Sequence, residues 1–262
     1  MKLKGKTAVI TGAASGLGKA TALKFAGEGI KNLTLVDLNP EGLEVTKLEV
    51  LAIEPGIKLL LQSADVARED DVKAFIEETI EHFGALDILF NNAGIEGFSN
   101  PIEDMPFEAF SKTISINLFS VFLGMKYALG YMKQAGGGSI INTSSIGGLV
   151  ALPNSIDYVA TKHAVIGMTK NAAAEYGPYG IRTNAVCPGV VMTGLHKRVV
   201  TAQAQQAGED PQILIERNKQ SIPLKRYGEA DEIADLVCYL ASDESSYVNG
   251  VAIAVDGGYT VL

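Results

Sequence analysis

Short apolar runs alternate with longer stretches of helical period along this 262-residue chain. Thr7–Ile10, Leu33–Val36, Leu59–Gln62, Ile88–Phe90, Ser139–Asn142, Thr183–Val186 and Val251–Val255 are short, apolar, in several cases β-branched, and flanked by turn residues. Such runs read as strands. Between them, Leu17, Ala20, Thr21 and Phe25 recur at the spacing of one buried helix face, as do Phe110, Ile114, Asn117 and Val121. A further helical pattern runs from Asp157 through Tyr176. This alternation predicts a parallel sheet with helices on both faces, joined by right-handed crossovers.

No Pro/Ser linker, charge run or repeat divides the chain, so one domain over 1–262 is expected. The segment 194–223 breaks the rhythm with the polar stretch TAQAQQAGEDPQ. It reads either as a cover over the ligand or as a solvated surface excursion. The pattern from Phe110 to Met132 is apolar on more than one side, since Phe119, Phe122 and Tyr127 join Phe110, Ile114 and Val121. Such a helix needs cover, from a partner helix or from the chain's own sheet.

Composition narrows the function. A hydrophobic share of 47% excludes a disordered chain. A net charge of −8 disfavours nucleic acid and anionic membrane as partners. Cys187 and Cys238 are too few for a disulfide framework, and His82, His163 and His196 show no metal-ligand spacing, so no metal site is expected. The apolar stretch near the N-terminus is too short for a signal peptide. Leu118–Met132, interrupted by Lys126, falls short of the roughly 20 residues of a bilayer span. A cytoplasmic protein is expected.

The first strand runs into Thr11-Gly12-Ala13-Ala14-Ser15-Gly16-Leu17-Gly18, followed at once by a helix. Gly12 suits a tight turn, Gly16 leaves room for a pyrophosphate, and Gly18 lets the helix pack close to the sheet. The free N–H groups and dipole of the helix start then face an anion. The spacing is TGxxxGxG rather than GxGxxG. Asp37 ends the second strand nineteen positions after Gly18, near the ~20-residue offset at which an acid meets the adenosine ribose. A carboxylate there repels a 2′-phosphate, and Ala13, Ala14 and Leu38 bring no compensating cation, so NAD(H) is expected over NADP(H). The competing reading is a turn-forming Asp before Asn39-Pro40.

Tyr158 and Lys162 are four apart on one helix and share a face. A phenol with pKa near 10 is a poor proton exchanger at neutral pH, and an ammonium beside it is expected to favour the phenolate. Alone, the pair also fits an amphipathic surface. Ser144 and Ser145 follow a strand at its carboxyl end, where ligands gather in parallel sheets. A hydroxyl there either orients a carbonyl oxygen or closes a loop. Asn117 interrupts an apolar helix face. It either holds a water on a proton path to Lys162 or bonds backbone.

Together these residues resemble the short-chain dehydrogenase/reductase family from about Lys6 to Gly258. The likeness is carried by TGAASGLG at 11–18, Asp65-Val66, NNAG at 91–94, Asn117, Ser144-Ser145, YVATK at 158–162, and Pro188-Gly189 with Thr193 after them. It implies a single-domain Rossmann-type fold with a seven-stranded parallel sheet, often a homotetramer. It implies Asn117, Ser145 (the second serine of the pair), Tyr158 and Lys162 as the catalytic set. The glycine loop with Ser15 and Leu17, together with Asp37, Leu38 and Pro188-Gly189, belongs to the NAD site. Asp65 and Val66 meet the adenine, Asn92, Ala93 and Gly94 line the cofactor, and Val191 and Thr193 meet the nicotinamide amide.

The expected reaction is interconversion of a ketone and a secondary alcohol, with Tyr158 as acid/base. Ile95, Met192 and Leu195 stand near the motifs and favour an apolar or cyclic substrate, with Ile146 and Leu149 close by. Glu96 either binds a substrate hydroxyl, joins a subunit contact or faces solvent, and His196 either reaches the site or is surface. The alternatives are a 3-oxoacyl-thioester reductase, a polyol or glucose-type dehydrogenase, and a dinucleotide-binding regulator without turnover. Asp37 and the net charge argue against the first.

Overall fold

The computed structural model describes residues 1–261 apart from 195, 198, 199, 202, 203 and 205–207. Seven strands form one parallel sheet: β1 (Thr7–Thr11), β2 (Asn32–Asp37), β3 (Lys58–Ser63), β4 (Ile88–Asn91), β5 (Gly138–Thr143), β6 (Ile181–Pro188) and β7 (Ala252–Val255), in the order β3-β2-β1-β4-β5-β6-β7. All seven expected runs are strands. The order reverses between β1 and β4, and the crevice beyond the strand ends at such a point is where ligands bind.

The helices with described bounds are α1 (Gly16–Gly27), α2 (Pro40–Ile53), α3 (Glu69–Phe83), α4 (Phe107–Ile114), α5 (Ser120–Ala135), α6 (Ile156–Tyr176), α7 (Pro211–Gln220) and α8 (Ala230–Ala241). Period-two alternation sends neighbouring strand residues to opposite cores. Ile10 and Phe90 meet Phe25 and Val237 on one face, whereas Val9 and Leu89 meet Phe75 and Met132 on the other. Each fully buried aliphatic or aromatic side chain of this kind contributes about 1.5–3 kcal/mol.

Between α4 and α5 the chain forms a π segment, Ser115–Phe119, which the periodicity did not predict. The helical run is therefore longer than expected: 29 residues, Phe107–Ala135, long and apolar enough by composition to cross a bilayer. Half of its apolar window is buried within the fold, as in the core helix of an α/β domain.

Candidate active site

The carboxyl ends of β1, β4, β5 and β6 open onto one cavity of about 940 Å³. At the β1 end, Gly12 has φ +69° and Gly16 φ +53°, the left-handed region that a side chain disfavours. Gly18 is required for contact: a Cβ there would lie 2.1 Å from the Gly12 carbonyl oxygen. It packs helix against turn and does not itself line the cavity. Thr11 ties the loops together, its Oγ1 accepting from the amides of Asn92 (2.9 Å) and Ala93 (3.0 Å).

Asp37 combines the two readings of the sequence. Its Oδ2 accepts from Ala14 N (3.0 Å) and its Oδ1 from Asn39 N (3.0 Å), so it shapes the turn. It also lines the cavity with Leu38, and a carboxylate has lone pairs left for ribose hydroxyls. Asp65, Val66, Asn92, Ala93, Gly94, Pro188, Gly189, Val191 and Thr193 line the same space, as do Ser15 and Leu17. The bare glycine turn at the start of α1, and the acid at the end of β2 with no cation among Ala13, Ala14 and Leu38, fit an adenine dinucleotide without a 2′-phosphate.

Farther along the cavity stand Ser145, Tyr158 and Lys162. Ser144 points elsewhere: its hydroxyl donates to Lys162 O (2.9 Å). That leaves Ser145, which lines the cavity with Tyr158 and whose Oγ accepts from Gly147 N (3.1 Å).

The electrostatics correct one expectation. Desolvation is the dominant influence on Tyr158 and pushes the phenol up to about 12. The neighbouring Ser145 hydroxyl opposes this, and the charge of Glu96 adds to it. Lys162 does not lower the phenol here. Its buried ammonium donates to Thr143 O (2.8 Å) and lies 5.5 Å from the Tyr158 ring centroid. Burial brings the Lys162 amine down to about 8. Without cofactor the Tyr158 phenol is thus neutral and a weaker acid than a free phenol.

Asn117 bonds backbone, as the second of its two readings expects. Oδ1 accepts from Ile95 N (2.8 Å) and Nδ2 donates to Ile95 O (2.7 Å), so its side chain holds the backbone of Ile95 from both sides. It does not line the cavity; it fixes the loop that does. Ile95, Glu96 and Ile146 stand on the cavity wall. Met192 does not: its amide donates to Gly228 O (3.1 Å) beside the Val191–Gly228 bridge, which turns it away from the lining. Leu149, also expected nearby, is not on the wall either. Leu195 lies outside the described residues, as does part of 194–223.

Two contributors escaped the sequence. Thr143 supplies the carbonyl that holds Lys162. Asp157, fully buried, accepts from Tyr158 N (2.7 Å), Phe98 N (2.9 Å) and Thr113 Oγ1 (2.7 Å). It ties the loop after β4, α4 and the start of α6 to one carboxylate. Its only sequence signal is an acidic residue in the first turn of a helix, which is commonplace.

A family model described as enoyl-(acyl carrier protein) reductase matches residues 12–260. With this fold and site, the chain belongs to the short-chain dehydrogenase/reductase family and is an NAD-dependent oxidoreductase. It is 46% identical to levodione reductase of Leifsonia aquatica over 97% of this chain and 93% of that one. A crystal structure of levodione reductase superposes with a TM-score of 0.95 at 45% identity, covering 99% of both chains. Cyclohexanol dehydrogenase of Acinetobacter sp. (strain SE19) is 39% identical over 99% of this chain and 96% of its own. The structure of an NAD⁺-bound xylitol dehydrogenase superposes with a TM-score of 0.93 at 35% identity, over 98% of this chain and 100% of that one.

Proposed function

We propose that the protein interconverts a cyclic, largely apolar ketone and its secondary alcohol, with Tyr158 as general acid/base. The observation that carries this reading is the convergence of Ser145, Tyr158 and Lys162 on the dinucleotide cavity. The bound cofactor supplies or accepts the hydride. Ser145 orients the substrate oxygen, and Tyr158 Oη gives it a proton in reduction and takes one in oxidation. Lys162, held by Thr143, would hold the sugar of a bound cofactor. Asn117 acts by positioning Ile95 and the residues after it.

Three features support a cyclic apolar substrate. Ile95, Ile146 and Leu152 make the wall beyond the catalytic hydroxyls apolar. Levodione reductase and cyclohexanol dehydrogenase are among the relatives. Gly194 and His196 line the cavity from the start of the segment 194–223, in keeping with a cover over the substrate.

The working form is a homo-oligomer, in line with a tetramer. Phe107, Phe119 and Phe122 are 76%, 51% and 50% exposed along the α4–α5 run, an apolar face that a second copy would cover. Sedimentation of a monomer at micromolar concentration would refute this. Both cysteines are buried and unpaired, which suits the cytoplasm.

The decisive test is Tyr158→Phe. NADH titration is expected to be unchanged, while turnover of cyclohexanone falls about 10³-fold, the scale of lost general-acid catalysis. Wild-type turnover in this variant would remove Tyr158 from the reaction.

A further inference from the structure

Helix α2 turns Leu43 and Val50 into the core, and the fully buried residue between them is Thr46. Thr46 lies outside the cavity wall. Threonine is a modest helix former, and its hydroxyl often returns to the carbonyl four residues back. Here Oγ1 lies 3.1 Å from that carbonyl, Gly42 O, and 3.0 Å from Ala13 O, thirty-three positions away. One hydroxyl has one proton. Gly42 O has the backbone amide of residue 46 as its regular helical partner. Ala13 is buried, and its carbonyl has no other donor among the described residues. The proton is therefore needed at Ala13, where an unpaired buried carbonyl would be costly.

The Ala13 carbonyl and the Ala14 amide are opposite edges of one planar peptide unit. Thr46 grips the oxygen edge, and Asp37 grips the N–H edge, its Oδ2 accepting from Ala14 N at 3.0 Å. Ala13 N donates to Val36 O (3.1 Å), which fixes the peptide unit before it. The other Asp37 oxygen accepts from Asn39 N, and the Asn39 side chain caps α2 by accepting from Gly42 N (3.1 Å). The first turn of α2 lies so close that a Cβ at Gly42 would meet the Ala14 Cβ at 2.7 Å. The peptide that steadies the Asp37 carboxylate is thus set by a hydroxyl on α2.

We propose that Thr46 is a positioning residue for cofactor choice. By holding the Ala13–Ala14 peptide it keeps the Asp37 carboxylate in place on the cavity wall, so that preference for NADH over NADPH depends on a hydroxyl that does not itself line the site. The inference rests on Asp37 as the group that discriminates the two cofactors, and its test separates the two claims. The variants are Thr46→Val, which keeps the shape and loses the hydroxyl, and Thr46→Ser, which restores it. In both, α2 keeps its seat through Leu43, Val50 and the Lys19–Glu49 ion pair to α1 (2.6 Å).

The readout is the Kd for NADPH divided by the Kd for NADH, from fluorescence titration without ketone; a loss of folded protein leaves this ratio untouched. Thr46→Val should narrow it about fivefold, less than Asp37→Asn does, and Thr46→Ser should return it to within about twofold of the wild type. In an Asp37→Asn background Thr46→Val should not change the ratio further, because both substitutions act through one carboxylate. Should Thr46→Val fold too poorly to titrate, Thr46→Cys, a weaker donor of similar size, carries the test, with a narrowing between those of the serine and valine variants. An unchanged ratio in Thr46→Val or Thr46→Cys beside a narrowed one in Asp37→Asn, or a further narrowing in the double variant, overturns the role of Thr46 and leaves that of Asp37 standing. An unchanged ratio in Asp37→Asn overturns the two together.

Discussion

The two ends of the cavity are built by different means. At the dinucleotide end, backbone does the work: the turn after β1 is held by glycines, one of them because a Cβ would meet a carbonyl oxygen at 2.1 Å. At the substrate end, side chains from distant stretches fix one loop, Asn117 at Ile95 and Asp157 at Phe98. A backbone-built site tolerates little change at a few adjacent positions and leaves a compact signature. A site built by distant side chains is adjustable and leaves none.

The contrast can be broken at several points. The largest expected effect is at Gly18. Gly18→Ala forces a Cβ against Gly12 O, and overpacking of this kind costs about 1–3 kcal/mol. With the anion-binding turn displaced, NADH affinity should fall at least about a hundredfold. Fluorescence titration with NADH and a melting curve would measure both; unchanged binding would mean the turn has slack. Next is Asp37. Asp37→Asn removes a carboxylate charge from the cavity wall and should narrow the preference for NADH over NADPH roughly thirtyfold, about 2 kcal/mol, if that charge meets the ribose. Steady-state kinetics with both cofactors decide it, and an unchanged ratio would reduce Asp37 to its turn-forming role.

At the other end, Asp157→Asn keeps the shape but turns one of the three hydrogen bonds into a donor–donor clash. KM for ketone should rise about tenfold, the scale of one charged hydrogen bond, with NADH affinity unchanged. An equal loss at both ends would show that the carboxylate supports the whole domain. The smallest effect concerns pH. The Glu96 charge raises the Tyr158 phenol, so Glu96→Gln lowers it. Oxidation needs the phenolate in the free enzyme and so rises toward alkaline pH. In Glu96→Gln the limb should move to lower pH by a fraction of a unit, while reduction near neutrality, which uses the phenol, should be unaffected. A shift to higher pH would reverse the sign assigned to Glu96.

The same contrast explains what could be read from the chain. The strands were legible because each is a short apolar run closed by a turn, and a central parallel sheet demands that pattern. The glycine turn, Asp37, Tyr158 and Lys162 were legible because their spacings are local. The direction of the Tyr158 shift was not. It is decided by burial under residues from other elements, and Lys162 is drawn to a carbonyl on β5 that helical spacing cannot reveal. Asp157 stayed hidden because its partners Phe98 and Thr113 are more than forty positions away. Met192 failed as a wall residue because adjacency to a motif says nothing about which side of the strand-end bridge a residue takes.

The π segment at Ser115–Phe119 has a consequence for chain length. It sits between Thr113, bonded to Asp157, and the buried face of α5 that begins at Ser120 and Val121. Each helical residue turns the axis by about 100°, so losing one here would swing Thr113 off its carboxylate while α5 stayed seated. Asn117 apart, whose amide is needed at Ile95, chemistry at these positions can drift, but their number cannot, and chains sharing this pocket should align across them without a gap.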